Sequence, residues 1–145
     1  MDVLIAGKVV LTLIAVFGGV APFFADWNET HIRNPRWPPH AKFHNAQTMV
    51  LGAASALLAL GFLWWPGPAP RLRLDAGSVF AALYWVCLVP SILFPGTAFY
   101  DPEHAGRLPV VGGVEINQAH GGMFFILLTV GANLLARGGL PPDGP

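Results

Sequence analysis

The residues of this 145-residue chain best suited to chemistry stand in two short runs. In the first, His40, His44, Gln47 and Thr48 recur at i, i+4, i+7 and i+8, which stacks their polar groups on one face of a helix. In the second, Glu115, Asn117, Gln118 and His120 open a later apolar stretch, with Asn117 and His120 on one face. Imidazoles exchange protons near neutral pH, and burial tunes carboxylates towards the same range. His44, His120 and Glu115, with Asp26 and Glu29 ahead of the first run, are therefore the expected catalytic groups. Asn45, Gln47, Thr48, Asn117 and Gln118 would hydrogen-bond a substrate, and Trp27, Trp37 and Tyr100 would wall it. Plainer roles stand beside these. Glu115 can serve the helix dipole, Asp26 can pair with Arg33 or Arg36, and both tryptophans can anchor at an interface. His40 and His44 have the spacing of metal ligands but no HExxH pattern or cysteine partner, so no metal and no cofactor are expected.

The elements that must position these groups follow from hydropathy. Apolar residues make up 54% of the chain and charged ones 11%. Soluble domains carry about 25% charged residues, so most of this chain's surface need not face water. Four apolar stretches are present, at 3–25, 46–65, 77–99 and 116–136. Each has the length, roughly 20 residues, needed to cross a bilayer. The expected fold is all-α: an integral membrane four-helix bundle in a single domain, 1–137, with a long Pro/Trp-rich first connection. Residues 138–145 are expected to form a flexible tail. The first stretch follows directly on Met1 and Asp2 and outruns a typical signal h-region, so it is expected to be retained. Gly52, Ala56 and the run from Ala59 to Gly61 would admit a close helix neighbour. Asn133 reads as a helix–helix hydrogen-bonding residue, and Gly112–Gly113 as a turn. Cys87 is the only cysteine, so an intrachain disulfide is excluded. Net charge is zero, which excludes a broad basic field for nucleic acid.

With the N-terminus on side A, both chemical runs fall on side B, as do all five histidines, including His31 and His104. Asp26, Glu29, Asp101, Glu103 and Glu115 gather there too. Lys and Arg divide evenly: Lys8, Arg71, Arg73 and Arg137 on side A, Arg33, Arg36, Lys42 and Arg107 on side B. If the side B cations belong to a site, the termini are cytoplasmic. The sharpest expectation is geometric: His44–Thr48 and Asn117–His120 face each other in one polar cavity, because neither helix satisfies its polar face alone. The segment from Asp26 to His40 would cover that cavity.

The block from Ala25 to Met49, Ala-Asp-Trp-Asn-Glu-Thr-His-Ile-Arg-Asn-Pro-Arg-Trp-Pro-Pro-His-Ala-Lys-Phe-His-Asn-Ala-Gln-Thr-Met, resembles the signature of a small family of four-span bacterial and fungal membrane proteins of unknown function. Some of its members carry an acetyltransferase label; this chain has no acyl-donor motif. In architecture the chain is also similar to the sterol-isomerase-like superfamily that includes the sigma-2 receptor and emopamil-binding protein. That similarity implies a lipophilic amine or sterol held at a buried acid, a part for Asp26, Glu29 or Glu115.

Three classes of function fit. The first is a membrane enzyme acting on a lipophilic small molecule by His/carboxylate acid–base chemistry, of isomerase, cyclase or hydratase type. The second is a non-catalytic lipid- or sterol-binding protein or accessory subunit of a membrane complex, as a homo-oligomer or with other chains. The third is metal-binding or transport.

Overall fold

The computed structural model describes residues 2–101, 106 and 108–141. Glu103, His104, Arg107 and the tail end 142–145 lie outside the described residues. Four helices dominate: α1 (Val3–Asp26), α2 (Pro39–Trp64), α3 (Pro70–Leu88, continued by a 3-10 turn Val89–Leu93) and α4 (Gln118–Arg137). All four are long and apolar enough to cross a membrane, and the chain is a multi-pass, membrane-type four-helix bundle. A two-stranded hairpin, β1 (Val110–Val111) and β2 (Val114–Glu115), precedes α4. Its turn places Gly112 at φ 58° and Gly113 at φ 82°. That is the left-handed pair a two-residue hairpin turn needs.

Prolines set several helix limits. α2 begins at Pro39, far ahead of the apolar run at 46, because a proline in the first turn lacks only a donor that would go unpaired. The same logic starts α3 at Pro70 rather than near 77. That helix leaves α geometry at Val89, since Pro90 has no N–H for the Val86 carbonyl, and helical structure ends at Leu93 rather than near 99. Pro22 inside α1 likewise cannot donate to the Gly18 carbonyl. That oxygen lies 3.0 Å from where a Cβ on Gly52 would stand, so α2 packs directly against the freed group.

Consecutive helices pack side by side, α4 closes onto α1, and α1 also touches α3 across the bundle. α2 and α4 occupy the other diagonal and make no direct helix–helix contact among the described residues. Small residues allow the close approaches. A Cβ on Gly19 would stand 2.7 Å from the Ala56 Cβ, and one on Gly7 would stand 2.5 Å from the Ala132 oxygen. The core has two layers: Leu11, Leu63, Leu74, Ala132 and Ala136 towards side A, then Ile14, Ala15, Ala59, Ala81 and Trp85. Large apolar side chains such as Leu13, Leu57, Leu72, Val79 and Leu127 point outward, as a lipid-facing surface requires.

Asn133 donates to Asp75 Oδ1 at 3.1 Å and to Ser78 Oγ at 2.9 Å, and Arg137 also binds Asp75, latching α4 to α3 near side A. The described part of the tail is fastened to the bundle. Leu140 packs on the side A core, Gly139 lies against Leu4, and Arg71 donates to the Pro141 oxygen at 2.8 Å.

Candidate functional site

The connection between α1 and α2 folds on its own polar side chains. Asn28 Nδ2 donates to the Ala25 oxygen at 2.7 Å, while its Oδ1 accepts from the Thr30 N–H at 2.8 Å and the Thr30 hydroxyl at 2.6 Å. Buried Asn34 donates to the Thr30 oxygen and accepts from the Arg36 N–H, closing the loop. This turn sets His31 over the end of α1, edge-on to Trp37 at 4.9 Å between centroids. Its Nδ1 lies 3.8 Å from Asp26 Oδ1 and 2.6 Å from Thr30 Oγ1. Donor bookkeeping then assigns the tautomer. The Thr30 hydroxyl gives its proton to Asn28, so it accepts from His31 Nδ1–H, and in the neutral ring Nε2 is the basic nitrogen.

Asp26 has a second partner from α2: Asn45 Nδ2 donates to its Oδ2 at 2.8 Å. The other end of that amide, Asn45 Oδ1, is buried with no hydrogen-bond partner among the described residues. A buried acceptor without a donor costs about 1–3 kcal/mol. Trp85 Nε1 is a buried donor in the same position.

Two clefts open beside this group. One, of about 390 Å³ between α1, α3 and α4, is bounded by Asp26, His31, Tyr84, Trp85, Gln118 and Phe125 among others. The second, of about 230 Å³, lies between α2 and α3 and reaches Thr48, Ser55, Cys87 and Ser91. Tyr84, Leu88 and Gln118 belong to both, so the Tyr84 side chain stands between them. Beside the first cleft lies an apolar groove of about 510 Å³ along α1 and α4, and Phe17 and Phe125 border both. Phe17, Trp85 and Phe125 form one aromatic stack, with centroids 4.3 to 5.8 Å apart. Gly121 lies on the cleft wall with nothing within 4 Å of an added Cβ, whereas its neighbour Gly122 is closed by Val89 at 2.7 Å.

The expected catalytic residues are not brought together. His44 points along α2, with its Nε2 3.1 Å from His40 Nε2 and its Nδ1 3.2 Å from Gln47 Oε1. His120 caps its own helix. Its Nδ1 accepts from the Asn117 N–H at 3.3 Å while Asn117 Oδ1 accepts from the His120 and Ala119 amides. Because α2 and α4 are diagonal, these two polar helix starts do not face each other; only Thr48 and Gln118 reach a common cleft. Glu115 sits on β2, where it accepts a hydrogen bond from the Tyr100 phenol and raises that group's pKa. Glu29 and Trp27 are exposed on the connection. Among the described residues no three His, Cys, Asp or Glu side chains gather as metal ligands.

His31 and Tyr84 are not in the set expected to act. His31 follows an Asn-x-Thr turn whose side chains close on each other, a signal that could have tied it to the end of α1. Tyr84 is one aromatic among many in α3, and nothing in its spacing marks it.

No curated protein and no solved structure matches the chain. A protein family, described as a family of unknown function (DUF6640), matches residues 10–119, which span most of α1, all of α2 and α3, and the start of α4. The chain belongs to that family.

Proposed function

We propose that this membrane protein takes up a lipophilic small molecule from the bilayer and acts on it by acid–base chemistry. One observation supports the reading: a cleft bounded by Asp26, His31 and Gln118 lies beside a wholly apolar groove between α1 and α4, with Phe17 and Phe125 bordering both. A molecule with one polar head and a hydrocarbon body matches that division, and the groove is open to lipid along its length.

In this reading His31 Nε2 is the base and Asp26 stabilises the imidazolium that forms when it takes a proton. The Tyr84 hydroxyl, between the two clefts, is the donor that returns a proton at a second carbon or oxygen, and its phenolate is then reprotonated at the expense of the His31 imidazolium through water, which resets both groups. Proton removal and return without a redox partner is the logic of an isomerase, cyclase or hydratase. Asp26, Gln118 and Thr48 keep the roles expected of them; His44, His120 and Glu115 give way to His31 and Tyr84. A non-catalytic binder is the second reading, favoured by the engagement of Asp26 with Asn45.

The test compares lipid extracts incubated with the wild-type protein, His31→Gln and Tyr84→Phe, followed by untargeted mass spectrometry. The enzyme reading expects a substrate–product pair that converts with wild type and about 10² to 10⁴-fold more slowly with His31→Gln. A molecule retained unchanged by all three proteins would establish the binder instead.

A further inference from the structure

At the opposite face, away from the clefts, Lys8 of α1 and Arg73 of α3 border one small cavity of about 190 Å³. Its other walls are Trp64, Trp65, Phe62 and the aliphatic side chains of Leu4, Leu63, Leu74 and Leu140. The Lys8 ammonium lies over the Trp64 ring, 4.2 Å from its centroid, instead of extending outward to the headgroups. Trp64 is held there because its Nε1–H donates to Thr12 Oγ1 at 2.8 Å. Arg73 donates to the carbonyl oxygens of Gly61 and Trp65, which end α2.

Neither cation has an acidic partner among the described residues, and no carboxylate borders the cavity. The nearby Asp75 is engaged by Arg137 and Asn133. Two cations turned towards one partly enclosed, low-dielectric space repel each other, and only an anion between them reverses that sign. The volume suits one phosphate group, and the aliphatic walls suit the first methylenes of an acyl chain. Trp64 and Trp65 set the cavity at headgroup depth.

We infer that the Lys8–Arg73 cavity on side A is a binding site for the phosphate headgroup of an anionic lipid. Lys8 supplies the point charge and Arg73 the directional donors, while Leu4, Leu63 and Leu140 receive the glycerol end of the chains. Because Leu4 and Leu140 come from the two chain ends, a bound lipid also clasps the described tail to α1 and α3.

The experiment uses the full chain in neutral detergent and counts retained lipid by native mass spectrometry. Phosphatidylglycerol, phosphatidylcholine and inorganic phosphate are added in separate arms to wild type, Lys8→Met, Lys8→Arg and Lys42→Met. The expected result is one phosphatidylglycerol held by wild type and Lys8→Arg in preference to phosphatidylcholine. Lys8→Met should hold it about fivefold more weakly, the effect of one cation beside a headgroup, and Lys42→Met should match wild type. Equal retention of both lipids by the wild-type protein would overturn the inference, a comparison that needs no variant to fold. So would equal weakening by Lys42→Met, or binding of inorganic phosphate with no preference for the anionic lipid.

Discussion

Asn45 of α2 reaches back nineteen positions to donate to Asp26 at the end of α1, at 2.8 Å, so one hydrogen bond closes the whole first connection. The Asp26 side chain is only 17% exposed, so the donor is not readily replaced by water. Asn45→Leu loses this bond but also the unpartnered Oδ1, so it should lower stability by no more than about 1 kcal/mol, read as a slightly lower unfolding midpoint in detergent. Asn45→Asp should cost more, because it sets two carboxylates against each other. Midpoints equal to wild type in both would mean that the bond contributes nothing.

This bond also marks the limit of what the sequence discloses. Four spans were legible because long, unbroken apolar runs have few other uses, and Gly52 with Ala56 was legible as a close-packing face. Helical spacing correctly stacked His40, His44 and Gln47 on one face of α2, and their side chains do touch. Spacing says nothing about which neighbour that face meets. The short α1–α3 diagonal keeps α2 and α4 apart, and that is a property of Gly18 and Trp85 packing rather than of either polar run. His31 enters the cleft through a loop conformation, and Tyr84 through a rotation of α3, neither of which leaves a periodic trace.

Gly7 and Gly121 should respond oppositely to alanine. A Cβ on Gly7 meets the Ala132 oxygen at 2.5 Å and the Ala136 Cβ at 2.6 Å, neither of which can swing aside. Gly7→Ala should force α1 and α4 apart and cost about 1–3 kcal/mol. A Cβ on Gly121 meets nothing within 4 Å. Gly121→Ala should leave the midpoint unchanged or add up to about 1 kcal/mol of stability through helix propensity. Thermal unfolding of the two variants side by side checks both signs.

Tyr100 should titrate above the ordinary phenol value because its hydrogen bond to Glu115 holds the protonated form. A group whose folded pKa is raised contributes its interaction fully below the ordinary value and loses it as pH rises through the raised one. The Tyr100–Glu115 link is thus intact at neutral pH and breaks only in alkali. Phenolate absorbance in a Tyr84→Phe background isolates Tyr100, since the chain has two tyrosines. Glu115→Gln should move that midpoint down towards about 10; no movement would contradict the link.

Thr30→Val removes the hydroxyl that accepts from His31 Nδ1 and donates to Asn28. The ring then loses its fixed tautomer, so turnover of the bound lipophile should fall while the amount retained stays near the wild-type level. Equal losses in retention and turnover would show a collapsed connection rather than a disoriented imidazole.

The most direct measurement of the central claim fills the cleft without touching its polar end. Gly121→Leu projects a side chain from α4 into the space beside Trp85 and Phe125, while Gly131→Leu, equally free of contacts at its Cβ, lies outside the cleft. Solvent extraction of the purified wild type and both variants, followed by mass spectrometry, reports what each retains. The prediction is a lipophilic species held by wild type and Gly131→Leu but lost from Gly121→Leu, at matching unfolding midpoints. The same species in equal amount in all three proteins would contradict uptake through this cleft.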